Sequence, residues 1–242
     1  MRKSSGGDRR VAAIVPAYNE EATLTEVLSV LKAAPAIQEV LVVSDGSTDG
    51  TVEIARAMGL RTIHLLRNHG KGRAMAVGVA HTDADILLFV DGDILNLTVD
   101  LLDRLIEPVL SGRSDMNVGI RHRGRTINAV QSHTGPLLSG IRCLRREVFE
   151  VVPESHLEGF AIETGLNWAC RQLGCRTTTT VMHNLKHLVK EKKRGLVQGF
   201  RARFEMFAAV FRAYLHLQVE PPALRDVPAR PARKPELEYI NF

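Results

Sequence analysis

The sequence predicts an α/β protein built on a doubly wound, mostly parallel sheet of the Rossmann-like type. Two observations lead to this prediction. Short apolar segments alternate with amphipathic helical segments over the first hundred residues, which is the element order of a parallel sheet. Each apolar segment also runs into a cluster of polar or glycine residues. Since ligands of such sheets bind at the carboxyl ends of the strands, the four clusters are expected to form one site.

The four strands are predicted from apolar runs at residues 11–16, 40–43, 61–66 and 86–90. The first helix is predicted from an apolar stripe with i, i+3, i+4, i+7 spacing, formed by Leu24, Val27, Leu28 and Leu31. Asn19 is its predicted N-cap and Pro35 closes it. A helix over 51–58, ended by Gly59, and a helix that contains Met75, Val79 and Ala80 complete three βα units.

The second half of the chain has a weaker pattern. Thr98 is the predicted N-cap of a helix over 99–110, and residues 116–120 are predicted to form an edge strand. The remaining predicted elements are a strand over 140–144, a short helix over 145–151, a helix over 157–173 that ends at Gly174, and a threonine-rich strand over 176–182.

Changes in composition indicate the domain organisation. A flexible N-terminus over 1–10 precedes one domain over 11–188, whose halves are 11–115 and 116–188. A basic amphipathic helical extension is predicted over 189–220, because phenylalanines at 200, 204, 207 and 211 share one helical face among lysines and arginines. Prolines at 221, 222, 228, 231 and 235 cannot continue that helix, so residues 221–242 are predicted to be an extended or disordered tail.

Composition limits the class of protein and partner. The 242 residues are 45% hydrophobic and 24% charged, as in soluble globular proteins. The net charge of +5 favours anionic partners such as phosphates, nucleotides or a membrane surface, and no nucleic-acid partner is expected. The sequence shows no signal peptide or membrane-spanning run, and its three cysteines lack metal-ligand spacing. A cytoplasmic protein with reduced thiols is therefore expected.

Asp91, Gly92 and Asp93 directly follow the fourth strand. Residues two apart in an extended chain point the same way, so both carboxylates could face one point. Two such charges repel unless a cation lies near them, and carboxylate oxygens suit Mg²⁺ or Mn²⁺. A turn that is merely acidic is the alternative, because Asp and Gly are common turn residues.

Together with Asp91-Gly92-Asp93, the clusters Pro16-Ala17-Tyr18-Asn19-Glu20, Ser44 to Asp49 and Gly70-Lys71-Gly72 resemble, in order and spacing, the family 2 glycosyltransferases of GT-A fold. The resemblance covers residues 11–100, with weaker agreement to residue 200. It implies a UDP-sugar or GDP-sugar donor, with Glu20 near the ribose, Asp45 at the base and Lys71 at the phosphates. The implied donor-binding residues are Pro16, Ala17, Tyr18, Glu20, Asp45, Gly70, Lys71, Asp91 and Gly92.

The resemblance also implies the metal and catalytic residues. Asp91 and Asp93 would bind Mg²⁺ or Mn²⁺, with Asp93 the direct ligand and His187, or less favourably His183, completing the metal shell. Glu163 has two interpretations. With a hydroxyl acceptor it would be the general base, whereas with an ionised phosphate acceptor it would position the acceptor or the metal. A helix-terminal acid without a catalytic role is the structural alternative.

The basic loop 121–125, with Arg121, and the segment that contains Ser139, Gly140 and Arg142 are expected to bind a phosphate-bearing acceptor. Similarity to the dolichol-phosphate sugar synthases favours polyprenyl phosphate, and similarity to the glucosyl- and mannosyl-phosphoglycerate synthases gives a phosphoglycerate as the alternative. The extension over 189–220 is expected to contact the inner face of the membrane peripherally. Packing against the sheet or against a second subunit, as in a homodimer, is its alternative.

Other classes of protein fit the sequence less well. Haloacid-dehalogenase-like phosphatases also carry Asp-x-Asp after an apolar strand, but there the strand comes first in the chain and here it is the fourth. Pyrophosphorylases open with a glycine-rich basic loop that Pro16 to Glu20 does not match. A non-catalytic nucleotide-binding protein remains the third class, against which the presence of Lys71, Asp91 and Asp93 argues.

Overall fold

The structure is a computed structural model that describes residues 9–121, 139–157, 161–187 and 239–242. The strands are β1 (Val11–Ala17), β2 (Glu39–Asp45), β3 (Arg61–Leu65), β4 (Ile86–Phe89), β5 (Ile94–Leu95), β6 (Met116–Arg121), β7 (Arg142–Arg145), β8 (Thr177–Met182), β9 (Lys186–His187) and β10 (Tyr239–Asn241). The helices are α1 (Leu24–Ala33), α2 (Thr51–Ala57), α3 (Lys71–Ala80), α4 (Val99–Leu110), α5 (Arg146–Glu150) and α6 (Ile162–Gln172), and a 3₁₀ turn covers Glu154–His156.

Among the described residues, the main sheet has eight strands in the order β10-β3-β2-β1-β4-β7-β6-β8. Strands β3, β2, β1 and β4 run parallel, so their carboxyl ends lie at one edge of the sheet. Strand β7 is antiparallel to both of its neighbours, and β6 pairs with β8 in parallel. The predicted mostly parallel α/β sheet and its three successive βα units are confirmed.

Helices cover both faces of this sheet. On one face, α1 and α4 bury Leu28 and Leu105 against alternate residues of β1 such as Val15. On the other face, α3 and α6 bury Met75 and Trp168 in a second apolar cluster. Every residue of β1 is buried as a result. Burial on both faces explains why the strands read as continuous apolar runs rather than as alternating ones.

Helix α4 contains an internal proline, and side chains from the sheet donate the hydrogen bonds that this proline cannot. Pro108 has no N–H to donate to the Arg104 carbonyl, which would otherwise accept the i to i−4 bond. Instead, Asn117 Nδ2 in β6 donates to that oxygen at 3.3 Å and Thr180 Oγ1 in β8 donates at 3.2 Å. The helix begins as predicted, because the Thr98 hydroxyl accepts a hydrogen bond from the Leu101 N–H.

The prediction that residues 116–120 form an edge strand is wrong. Strand β6 lies between β7 and β8, and its Asn117 and Val118 are fully enclosed. Within the part of the chain that the structure describes, the edge position belongs to β8, whose residues Thr177 to Thr179 are exposed. The sequence pattern gave no sign that this polar, threonine-rich strand would return alongside β6.

Two predicted helix starts are also wrong. Helix α1 begins at Leu24, and Asn19 lies outside it with a φ of 54° and its side-chain oxygen accepting from the Thr48 N–H at 2.9 Å. Asn19 therefore joins two loops instead of capping the helix. The helix predicted from residue 157 begins at Ile162, because Glu154–His156 forms a separate 3₁₀ turn.

The last residues of the chain form strand β10, which pairs antiparallel with β3. The Tyr239 hydroxyl lies 3.2 Å from His81 Nε2, and the Phe242 ring packs under the Arg56 guanidinium. The helical extension predicted over 189–220, most of the predicted tail and the predicted flexible residues 1–8 lie outside the described residues. Among the helices that the structure describes, none is long and apolar enough to cross a membrane.

Candidate active site

Polar contacts join the segments that follow β1, β2 and β4. The Asn19 N–H donates to Ser47 Oγ at 3.1 Å, and the Glu20 N–H donates to Thr51 Oγ1 at 2.9 Å. The buried Thr23 hydroxyl donates to the Gly92 carbonyl at 2.7 Å. These bonds bring the predicted clusters at Pro16–Glu20, Ser44–Asp49 and Asp91–Asp93 to one edge of the sheet, as the sequence predicts.

Asp45 connects the end of β2 to the start of α3. Its carboxylate is buried and accepts hydrogen bonds from the N–H groups of His69 and Gly70, both at 2.8 Å. Lys71, the first residue of α3, follows immediately. Asp45 therefore fixes the backbone position from which the Lys71 side chain extends.

Lys71 lies between two carboxylates. Its Nζ is 2.6 Å from Asp91 Oδ1 and 3.3 Å from Glu163 Oε1. The three side chains are only 18%, 21% and 10% exposed, respectively. Burial alone would lower the pKa of Lys71, but attraction to Asp91 and then to Glu163 outweighs it and raises the pKa. The ammonium is therefore charged at neutral pH.

Two glycines allow this cluster to form. A side-chain carbon at Gly140 would overlap the Asp91 carboxylate and the Lys71 ammonium, so only glycine lets the chain cross directly over the ion pair. A side-chain carbon at Gly72 would lie 2.7 Å from the carbonyl carbon of Leu157. Because Gly72 has no side chain, Leu157 packs against the first turn of α3, and α6 can place Glu163 next to Lys71.

Arg142 lies behind the cluster, with its side chain almost fully buried in β7. Its Nε donates to the Ser139 carbonyl at 2.7 Å, and its Nη1 donates to Asn167 Oδ1 at 2.8 Å. Burial lowers the pKa of Arg142 to about 10, although Glu163 and other nearby anions counteract this effect. Arg142 thus holds Ser139 and Gly140, which together with Arg142 belong to the segment predicted to bind the acceptor.

Comparison with known proteins identifies the family of this arrangement. The model of Glycosyl transferase family 2 matches residues 12–152, which include the Lys71–Asp91 pair and Gly140. The chain belongs to this family. The resemblance seen in the sequence is thereby confirmed.

Relatives within the family differ in their acceptors. The chain is 26% identical over 231 residues to an undecaprenyl-phosphate 4-deoxy-4-formamido-L-arabinose transferase of Shewanella sediminis, covering 86% of this chain and 68% of the relative. It is 33% identical to glycosyltransferase AglJ of Haloferax volcanii, covering 69% and 60%. It is 32% identical to glucosyl-3-phosphoglycerate synthase of Mycobacterium tuberculosis, covering 43% and 35%. The chain thus spans between about a third and two thirds of the lengths of these curated relatives.

A solved structure has the same fold. Glucosyl-3-phosphoglycerate synthase of Mycobacterium tuberculosis, in complex with Mn²⁺, UDP-glucose and phosphoglyceric acid, superimposes with a TM-score of 0.74 at 22% identity. The match covers 92% of this chain and 87% of that one. The GT-A fold expected for a family 2 member is therefore confirmed.

The Asp91–Asp93 segment of this family 2 chain is a turn rather than an extension of the strand. Strand β4 ends at Phe89, and Gly92 and Asp93 form the turn. The alternation rule for extended chain, from which the sequence predicted a common direction for the two carboxylates, does not apply here. Within the part of the chain that the structure describes, no three His, Cys, Asp or Glu side chains form a metal-sized group.

The backbone places one of the two candidate histidines next to this turn. Strand β9 pairs antiparallel with β5, and in that register His187 lies opposite Ile94, one residue after Asp93. His183 precedes this strand and its side chain is exposed. The register places the backbone of His187 beside the turn, and the choice of His187 over His183 as a metal ligand stays a prediction. The side chains of His187 and Arg121 lie outside the described residues.

The remaining predicted donor residues line the same edge. Ala17 is buried, Tyr18 is 41% exposed, and Glu20 lies beside Gly92. The predicted site motifs do not include Thr23, Thr51 or Asn167, although each bonds directly to a candidate site residue or segment. Their bonds cross 69, 31 and 25 residues of sequence, respectively, so no local spacing pattern could have revealed them.

Proposed function

We propose that this chain is a metal-dependent glycosyltransferase that moves a sugar from UDP-sugar or GDP-sugar to a phosphate-bearing acceptor. The observation that carries the proposal is the buried cluster of Lys71, Asp91 and Glu163 beneath Gly140. It lies where β4 ends and α3 begins, at the carboxyl edge of the sheet, where α/β proteins bind nucleotides.

The donor diphosphate is assigned to the start of α3. The first turn of a helix directs N–H groups and a partial positive charge outward, which favours phosphate. Lys71 adds an ammonium at this point, and the Gly70 N–H is held by Asp45. Glu20 is assigned to the ribose, and Asp45 together with the loop it holds is assigned to the base. The apolar wall from Pro16 to Tyr18 is assigned to the nucleoside.

The metal, Mg²⁺ or Mn²⁺, is assigned to Asp91, Asp93 and His187. The donor set fits a hard divalent cation, because Asp91 is already paired with a cation in this structure and carboxylate and imidazole both ligate Mn²⁺. When bound, the metal would stabilise negative charge on the departing nucleoside diphosphate. The solved relative that contains Mn²⁺ and UDP-glucose supports this assignment.

We favour polyprenyl phosphate as the acceptor, with residues Arg121, Ser139, Gly140 and Arg142 on the acceptor side. An acceptor phosphate oxygen forms the new bond to the sugar C1, and the bond from C1 to the donor diphosphate breaks. The nucleoside diphosphate leaves with those electrons. Because the phosphate oxygen is already ionised near neutral pH, Glu163 is assigned to positioning the acceptor or Lys71 rather than to removing a proton.

Relatives support two acceptors. Undecaprenyl phosphate appears in the name of the relative aligned over 86% of this chain, and the basic extension predicted over 189–220 suits an anionic membrane. We therefore place the protein in the cytoplasm with peripheral contact at the inner membrane face. A phosphoglycerate acceptor is the alternative, favoured by the phosphoglyceric acid in the solved relative that matches 92% of this chain. With that acceptor, the extension would pack on the sheet or on a second subunit.

The decisive experiment has two stages. Calorimetric titration with UDP, GDP and their sugars, with and without Mn²⁺, should show metal-dependent binding of one nucleotide, and binding of none would refute the proposal. Transfer of radiolabelled sugar is then measured to polyprenyl phosphate in detergent and to 3-phosphoglycerate. Product in the organic phase supports the favoured acceptor, and water-soluble product alone supports the alternative.

A further inference from the structure

Asp91 is paired with a cation that the protein itself supplies. Lys71 Nζ contacts Asp91 Oδ1 at 2.6 Å, the shorter of its two ion pairs. Asp91 is also one of the two carboxylates assigned to the divalent metal. An ammonium at this distance supplies one positive charge, half that of a divalent metal ion, and none of its coordination sites. It therefore occupies an oxygen that the metal would need.

The lysine is held in this position from several sides. Its backbone follows Gly70, whose N–H is bonded to the buried Asp45 carboxylate. Its ammonium is shared with Glu163, and the Gly140 backbone passes directly over the pair. Since Lys71 is only 18% exposed, separating it from Asp91 would leave a largely buried charge with only the more distant Glu163 as its partner. A metal ion that binds without the nucleotide would therefore have to break the Lys71–Asp91 ion pair, which weakens its binding.

The charges of the cluster indicate which ligand could compensate for separating Lys71 from Asp91. Lys71 and Arg142 contribute two positive charges, and Asp91, Glu163 and the second assigned metal ligand, Asp93, contribute three negative charges, so these five side chains together carry one negative charge. A divalent cation alone would leave an excess of positive charge there. A nucleoside diphosphate that arrives with the metal restores the balance and gives the Lys71 ammonium a new anionic partner.

We propose that Lys71 competes with the metal for Asp91 in the empty site and thereby makes metal and nucleoside diphosphate binding cooperative. The inference rests on the proposed function, because it uses the metal and donor assigned there. Cooperativity of this kind is reciprocal, so Mn²⁺ must tighten nucleotide binding by the same factor by which the nucleotide tightens Mn²⁺ binding. The ammonium acts as a counter-ion when the site is empty and as a phosphate ligand when it is loaded.

The test measures Mn²⁺ binding by the paramagnetic resonance signal of free Mn²⁺, with and without UDP or GDP. For Lys71→Met, which removes the competing charge, Mn²⁺ alone should bind about fivefold or more tightly than to the wild type. The factor by which the nucleotide tightens Mn²⁺ binding should fall by a similar amount. Lys32→Met is the matched control, because it removes the same charge from an exposed position on α1.

Lys71→Gln is the second variant, since its amide can still bond to Asp91 and preserve the fold. Equal or weaker binding of Mn²⁺ alone to both Lys71 variants, relative to the wild type, would overturn the inference. Failure of the proposed function looks different, because the wild type would then bind neither UDP nor GDP in the presence of Mn²⁺. The measurement with Mn²⁺ alone reports on the Lys71 competition in either case.

Discussion

Gly70 and Asp45 are joined by a hydrogen bond of 2.8 Å, in which the Gly70 N–H donates to the buried carboxylate. The other oxygen of Asp45 accepts from the His69 N–H at the same distance. One side chain at the end of β2 thus holds the turn that leads into α3. Because Lys71 follows that turn, the bond links the proposed base site to the proposed phosphate site.

Asp45→Asn tests this link. The asparagine amide would point an NH₂ group at one of the two N–H donors, so one buried bond is lost. We expect the free energy of unfolding to fall by about 1–3 kcal/mol, and nucleotide binding to weaken. Denaturant unfolding and calorimetry measure the two effects. Asp85→Asn is the control, because its carboxylate accepts one bond at the surface, and equal losses in both variants would contradict the role of Asp45.

Asp93→Ala should abolish the effect of Mn²⁺ on nucleotide binding and leave the fold intact. Asp93 lies in the turn after β4, where the proposed metal binds, and it is not part of the apolar core. Calorimetric titration with UDP and GDP, with and without Mn²⁺, measures the effect. Asp103→Ala, at an exposed position on α4, should behave as the wild type. Unchanged Mn²⁺ dependence in Asp93→Ala would refute the metal assignment.

Gly140→Ala should disrupt the ion-pair cluster through a single methyl group. That methyl group would overlap the Asp91 carboxylate and the Lys71 ammonium, so one of them must move. We expect metal-dependent nucleotide binding to weaken by about tenfold or more, which corresponds to roughly 1.4 kcal/mol. In the control Gly50→Ala, the new methyl group would meet only the movable Glu21 carboxylate, at 3.2 Å. Similar affinities for both variants would show that the close approach of Gly140 has no functional role.

Cys143 should make the protein less stable as the pH rises. Its side chain is fully buried in β7, and burial raises the pKa of the thiol. Above the ordinary thiol pKa of about 8.5, the unfolded state releases this proton while the folded state keeps it. Stability is therefore lost with rising pH, by about 1.4 kcal/mol per pH unit. The decline should be shallower for Cys143→Ala when unfolding is measured from about pH 8 to pH 10, and parallel declines would contradict this assignment.

Two neighbouring proline substitutions should have different effects in β10. Thr62 and Phe242 exchange both backbone hydrogen bonds, at 3.2 and 2.8 Å. Hydrogen-bonded and non-hydrogen-bonded residue pairs alternate along an antiparallel ladder. The backbone of Ile240 is therefore expected to be hydrogen-bonded to His64, whereas Asn241 and Ile63 form a non-hydrogen-bonded pair. Ile240→Pro should therefore destabilise the protein by about 1 kcal/mol or more, whereas Asn241→Pro should be tolerated. Thermal unfolding compares them, and equal losses would mean that β10 does not pair in this register.

The first half of the fold was predictable because its signals are local. Each strand is an apolar run, each helix has an apolar stripe, and each polar cluster directly follows a strand. The site edge was predictable from the same features, since parallel strands bring their carboxyl ends together. The position of β6 was not, because it depends on β8, which returns more than fifty residues later. The pairing of Lys71 with Glu163 was not predictable either, since their ion pair spans 92 residues of sequence.

Because Pro108 has no N–H, the Arg104 carbonyl of α4 accepts hydrogen bonds from β6 and β8 instead. These bonds affect how the two strands align with α4. Asn117 in β6 and Thr180 in β8 must both meet the Arg104 carbonyl of α4. If β6 slid by one residue, the buried Asn117 amide would lose its partners on α4, and the side chains of the strand would change faces. The Arg104 carbonyl therefore helps to fix the register of β6 and β8 relative to α4.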